Sequence, residues 1–401
     1  MLSFNARRNP LRTTGALLAG GLLVCVCAAG TATARPVEAT GTTPAATSAT
    51  TAADAERAAR QTARELAASL RDSTWLRTVR AALGPEGEAD LLALADRADA
   101  PAELARLAGA ANRAALAAEG LPADTGSLLQ VRLGDESMRA GLHAGRGLLV
   151  AAEGSDEATT VVAYDASGRE HQLDAHTVPN RPVLVVGVDH GRALDSHLAT
   201  FRETLREHGV STSDSTATPA TDSARTASTA STNELGALAG YDATRLDSIH
   251  LSDDQEPWVR GDAEIYALVA GVSPAGQPQV DTVQLPYLDE DGRTYTPGQI
   301  LVNWSHFRYD AVDIVLMEED TGTNYEELAR AVAAGLLTVI SQTQYVPLVD
   351  AVLAAIPDDW WTEDPDYVDS WYTIQKATSG SRVGAAGNGT ISLSPIFIPE
   401  L

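Results

Sequence analysis

The residues best suited to chemistry fall in two acid-rich segments far apart in the chain. Asp253, Asp254 and Glu256 occupy the first; Glu319, Asp320 and Asn324 occupy the second. All six offer oxygen, and calcium takes six to eight oxygen donors from carboxylates, amide carbonyls and water. Should the two segments meet in space, calcium is the cofactor they would hold. A second reading of the same residues stays open: Thr323 or Asn324 caps a helix, Glu326 and Glu327 favour its N-terminal dipole, and Asp253-Asp254 is a solvated turn.

Other motifs point to structure more than to reaction. Asp289-Glu290-Asp291-Gly292 lacks the twelve-residue calcium loop and reads as a hairpin turn. The run from Asp358 to Asp369 reads as a wet acidic face over rings that pack inward, with carbohydrate or cation binding as its alternative. The eight histidines contain no His-Glu-x-x-His pair, and the chain has no Gly-x-Ser-x-Gly elbow and no phosphate-cradling glycine loop. His171 and His176 read as surface residues of a β hairpin, and Asp189-His190 as part of a loop. No catalytic residue is assigned. Paired carboxylates meeting in the fold are the one hydrolytic route the residue types leave open.

Cys25 and Cys27, the two cysteines of the chain, lie in a segment that reads as a signal peptide over residues 1–34. Arg7, Arg8 and Arg12 give its positive start, Gly15 to Gly30 an apolar stretch, and Ala32-Thr33-Ala34 the small-x-small cleavage site. The stretch is too short and too glycine-broken for a membrane anchor, so no membrane insertion of the mature chain is expected. The expectation is a secreted, thiol-free protein. Cleavage removes three arginines and no acid, leaving 26 basic side chains against 54 acidic ones. That balance repels phosphate backbones, so nucleic acid is excluded as a partner. Lys376 is the only lysine among the 29 basic residues, a usage expected of a GC-rich bacterial genome.

Composition divides the chain. Residues 35–53 are Ala/Thr-rich and read as a disordered leader. Residues 54–208 read as an N-terminal domain of helices followed by a small β unit. Leucines at spacings of three and four run to Glu119, and β-branched runs cover Leu128–Leu133, Leu148–Ala152, Thr159–Tyr164 and Val183–Val188. One more helix is expected over 194–208. Residues 209–233 hold thirteen Ser or Thr in 25 positions and read as a linker. Sixteen of the twenty aromatic residues follow position 240, which places the better-packed core in residues 241–401. Strands over 245–251, 262–271, 279–287, 299–304, 312–317, 367–376 and 390–398, with a helix over 325–356, describe a β-sandwich with a helical insertion. The fold class is α+β.

Four strings in this half, Glu256-Pro257-Trp258, Gly261 to Tyr266, Asn324-Tyr325 and Gly384 to Asn388, resemble a bacterial family of exported proteins catalogued as domain of unknown function 3103. The likeness covers roughly residues 128–401 and implies no activity. The same half is loosely similar to calcium-binding C2 sandwiches. In those, two acidic loops at one end share the ion, and Asp253-Asp254-x-Glu256-Pro257-Trp258 and Glu318 to Asn324 stand where the loops would be. The resemblance implies calcium held by Asp253, Asp254, Glu256, Glu319, Asp320 and Asn324. The functional expectation is an exported binding or interaction module, calcium-dependent, with an extracellular protein or carbohydrate as partner. An extracellular hydrolase using paired carboxylates is its alternative.

Overall fold

The computed structural model describes residues 44–144, 147–154, 158–214, 240–252, 258–261, 263–288, 291–319, 324–340 and 367–399. Pro44–Leu401 group as one unit. The expected signal, residues 1–34, lies outside the described residues. Among those described, no helix is long and apolar enough to cross a membrane.

Helices lead, as their leucine spacing requires. They are α1 (Pro44–Ser69), α2 (Ser73–Leu83), α3 (Leu91–Ala95) and α4 (Ala102–Ala118), with the short strand β1 (Glu88–Asp90) between α2 and α3. The leader expected over 35–53 runs into α1, which opens at Pro44. Alanine is the strongest helix former and proline suits a first turn, so composition alone does not mark disorder here. Asp72 caps α2 by accepting the Thr74 and Trp75 amides. Asp99, by contrast, does not cap α4: Pro101 holds the cap position without a side-chain bond, and Asp99 accepts the Thr78 hydroxyl instead.

The β unit follows as β2 (Leu129–Leu133), then helix α5 (Arg139–Ala144), β3 (Leu149–Ala152), β4 (Thr160–Asp165), β5 (Glu170–Asp174) and β6 (Val183–Val188). Its sheet order is β1-β2-β6-β3-β4-β5, and the central pair β3 and β6 runs parallel.

Helix α6 (His190–Glu207) leaves the end of β6 and crosses to the other half of the molecule. There Leu194, Leu198, Phe201 and Leu205 join a core with Tyr266, Leu268 and Val280. The expected linker begins inside a strand, β7 (Ser211–Asp214), whose ladder satisfies a backbone that has no apolar stripe. Residues 215–239 lie outside the described residues.

The remaining elements are β8 (Gly240–Leu251), β9 (Ile265–Val272), β10 (Pro278–Gln284), β11 (Thr294–Tyr295), β12 (Gln299–Asn303), β13 (Ala311–Glu318), α7 (Tyr325–Ile340), β14 (Tyr367–Gln375), β15 (Gly380–Val383) and β16 (Gly389–Pro399). One sheet runs β14-β13-β9-β10-β7, and the other β11-β8-β16-β15 with β12 on β8. Between them Ile249, Ile265, Val269, Ile314, Leu393 and Trp371 fill the sandwich core. The first sheet is covered twice. Ile265, Ala267 and Val269 face the sandwich, while Tyr266, Leu268 and Ala270 face α6 and α7. That double burial is why β9 reads as an unbroken apolar run.

Two family-like strings have structural roles in this architecture. Trp258 to Gly261 reach back to the N-terminal half: Val259 is buried in its core, Arg132 donates to the Val259 carbonyl, and the Trp258 indole donates to the Asp174 carbonyl at 3.1 Å. The Gly384–Asn388 turn closes over Asp369, which is fully buried and accepts the Ser370, Ala386 and Gly389 amides at 2.7, 2.8 and 2.6 Å. Bonds to a charged acceptor are worth about 1.5–3 kcal/mol each. Asp369→Asn, which turns one acceptor into a donor, is expected to cost about 2 kcal/mol in urea unfolding. An unchanged midpoint would remove this role.

Candidate metal centre

Where the two halves meet, side chains from five separate places in the chain converge. Glu119 follows α4, Glu153 follows β3, His190 and His197 lie on α6, Glu264 precedes β9 and Glu319 follows β13. Asp189 starts α6 by accepting the Arg192 amide, which makes His190 its first residue. His197 lies seven positions on, two helical turns, so both rings share the buried stripe of the helix. His197 is held further by stacking on Tyr325, centroids 4.6 Å apart.

Glu319 is fully buried and sits between the rings: its Oε1 lies 3.1 Å from His197 Nδ1 and its Oε2 3.1 Å from His190 Nδ1. Each ring's other nitrogen also meets an acceptor. His190 Nε2 is 2.6 Å from Glu153 Oε1, and His197 Nε2 is 3.0 Å from the Glu119 carbonyl. A neutral imidazole donates from one nitrogen and accepts at the other. Flanked by acceptors on both sides, these rings must each hold a second proton or direct a lone pair at a cation. His306 shows the contrast. Its Nδ1 donates to Asp281, 2.6 Å away, and its Nε2 accepts from the Asn303 amide, a pairing complete without either.

Without a metal, protons carry the balance. Burial would lower His190, but the charge and hydrogen bond of Glu153 and the bond of Glu319 lift it well above its ordinary value, against Arg260. His197 is raised likewise, by Glu319 and then Glu119 over the cost of burial. Glu319 is held down at about 2, because both imidazoles outweigh its burial. Burial and the charge of Glu319 push Glu119 up to about 7. Glu119 is 3% exposed, and neither of its carboxylate oxygens has a hydrogen-bond partner among the described residues. A buried group left so costs about 1–3 kcal/mol or more.

Two sets of donors lie close enough to hold an ion: Glu119, His197 and Glu319, and His190, Glu264 and Glu319, each with its ligand atoms within 4.8 Å of one another. With Nε2 of each ring engaged by an acceptor, Nδ1 is the atom turned to Glu319, and such a contact at the other ring nitrogen is the outer-shell arrangement common to metal-binding histidines. A cavity of about 300 Å³ leads in from the surface. Ala52, Ala55 and Ala59 of α1 and Ala115 of α4 wall it, together with Glu119, Glu153 and Arg260.

Gly187 makes room for this cluster, since a Cβ there would overlap the carboxylate of Glu153. The Glu153 Oε2 in turn accepts the Val188 amide at 2.7 Å. Gly187→Ala is expected to displace Glu153 from His190 and to cost about 1–3 kcal/mol in urea unfolding. An unchanged midpoint would count against the packing.

Of the six residues expected to hold calcium, Asp253, Asp254, Glu256 and Asp320 lie outside the described residues. Asn324 serves as a helix cap: its Oδ1 accepts the Glu327 amide at 3.1 Å and its carbonyl the Leu328 amide. Glu319 belongs to the histidine cluster. His190, expected in a loop, opens α6, and His197, Glu119, Glu153 and Glu264 are donors outside the set expected from sequence. The available signal was two histidines seven apart on an otherwise apolar helical stripe.

Fold and cluster define the class: an α+β protein with a buried histidine–carboxylate site where an N-terminal sheet meets a helix-covered β-sandwich. The chain belongs to the family described as protein of unknown function DUF3103, whose model matches residues 59–400. No curated protein and no solved structure matches it.

Proposed function

We propose that this chain is an exported metal-dependent hydrolase whose ion is held by Glu119, His197 and Glu319. The observation that carries the reading is the buried carboxylate of Glu119, which lines the cavity, has no hydrogen-bond partner among the described residues and lies beside an imidazole that faces acceptors on both sides. Imidazole together with carboxylate favours zinc or a similar ion over calcium, whose ligands are oxygens. Three protein donors leave a coordination position for water, as in catalytic zinc sites, where the metal lowers the pKa of that water to about 7. The alanine walls suit a short apolar acyl group, so esters and amides are the substrate class. This reading replaces paired carboxylates acting alone with carboxylates acting through a metal. The calcium-dependent binding module expected from sequence is the competing reading.

The test is hydrolysis of short acyl esters and acyl-amino-acid amides by the zinc-loaded and the chelated chain. Turnover that requires zinc and is lost in Glu119→Gln supports the hydrolase. Zinc bound without turnover of either class returns the site to the binding module. A chain that takes up calcium and excludes zinc overturns the site itself.

A further inference from the structure

We propose that the centre holds two divalent transition-metal ions bridged by the carboxylate of Glu319. This rests on the metal reading above and goes beyond its single ion. Glu319 does not turn one oxygen to both histidines. Oε1 meets His197 Nδ1 and Oε2 meets His190 Nδ1, each at 3.1 Å, so its two oxygens serve two separate sets of donors. With His197, Glu119 completes one set, and with His190, Glu264 completes the other. Both rings reach the bridge through the same atom, Nδ1, because Nε2 of each is already engaged by an acceptor.

The placement of Glu264 is built into the backbone. The Glu319 amide donates to the Glu264 carbonyl at 3.1 Å, which carries the β9–β13 pairing one residue beyond the strands and sets the two acids side by side. His190 and His197 come from one helix at a two-turn separation. One rigid element therefore supplies an imidazole to each side, and one carboxylate joins the sides. A bridging carboxylate holds two ions about 3.5–4 Å apart, the spacing at which a shared water is activated between metals. Glu153 then acts as a positioning residue, orienting His190 through Nε2, as the Glu119 carbonyl orients His197.

The experiment is metal counting on the full chain, equilibrated with zinc, freed of excess and measured by plasma mass spectrometry against protein concentration. Two zinc ions per chain are expected, falling to one in His190→Ala and to one in His197→Ala. Wild-type protein loaded with Mn2+ should show the electron paramagnetic resonance spectrum of an exchange-coupled pair, a readout that needs no variant to fold. One ion in the wild type, with His190→Ala unchanged, would overturn the second site and leave the single-ion centre standing. No retained zinc or manganese would overturn both.

Discussion

Glu319→Ala is expected to lower stability by about 4 kcal/mol and to show none of the rise in melting temperature with zinc that is expected of the wild-type chain. Removing one member of a buried ion cluster typically costs 3–5 kcal/mol, because the remaining charges lose their partner without regaining water. Here the loss strands two imidazoles at once, His190 and His197, both buried. The zinc effect separates a metal role from packing alone. A ligand that binds only the folded state must stabilise it, so a variant that has lost the bridge should melt at one temperature with zinc or with chelator. Glu326→Ala is the control. Glu326 pairs with Arg330 on the exposed face of α7, where ion pairs are worth about 0–1 kcal/mol, and it should leave both readings unchanged. Equal zinc shifts in wild type and Glu319→Ala would count decisively against the centre.

The second large effect is on pH. In the metal-free chain His190 and His197 titrate above their ordinary value, so their contribution to stability is complete below about pH 6.5 and is lost as pH rises through the folded values. Glu119, raised to about 7, acts in the same direction: the folded state holds its proton more tightly, an advantage lost between pH 4.5 and 7. Glu319 has the opposite sign. Held at about 2, it stabilises above pH 4.5 and loses that contribution as the solution is acidified. Chelated protein should therefore melt at a lower temperature at pH 8.5 than at pH 6, by on the order of 5 °C or more. Zinc should remove most of that difference, since the ion supplies the positive charge that the protons carried, and its binding strengthens as imidazoles deprotonate. Scanning calorimetry at the two pH values, with zinc and with chelator, measures all four numbers. An alkaline loss that zinc does not reduce would mean that the histidines carry protons and nothing else.

Much of the architecture was legible because local patterns and tertiary demands agree. Leucines spaced by three and four became α1 to α4, β-branched runs became β2, β3, β4 and β6, and Gly387 stands in the turn before β16 with a positive φ. The α+β class followed from that order of elements. Less legible was the crossing at α6. Its helical period shows an apolar face but not which sheet covers it: Leu194, Leu198, Phe201 and Leu205 pack with β9, β10 and β13 of the C-terminal sheet, while Ala193 joins the N-terminal core. The pairing of β7 with β10 is hidden for a related reason, since a parallel ladder between distant segments is made by backbone atoms and leaves no mark in side-chain type.

From sequence alone came the acidic balance, the apolar periodicities, the family and the suspicion that Glu319 serves an ion. Tertiary structure decided its partners. A carboxylate's chemistry depends on which groups lie within a few ångströms and how much water is removed. Glu319 and those neighbours, His190, His197, Glu119 and Glu264, are scattered over some two hundred residues. Spacing along a chain can report two histidines on one helical face; only folding brings the end of β13 between them.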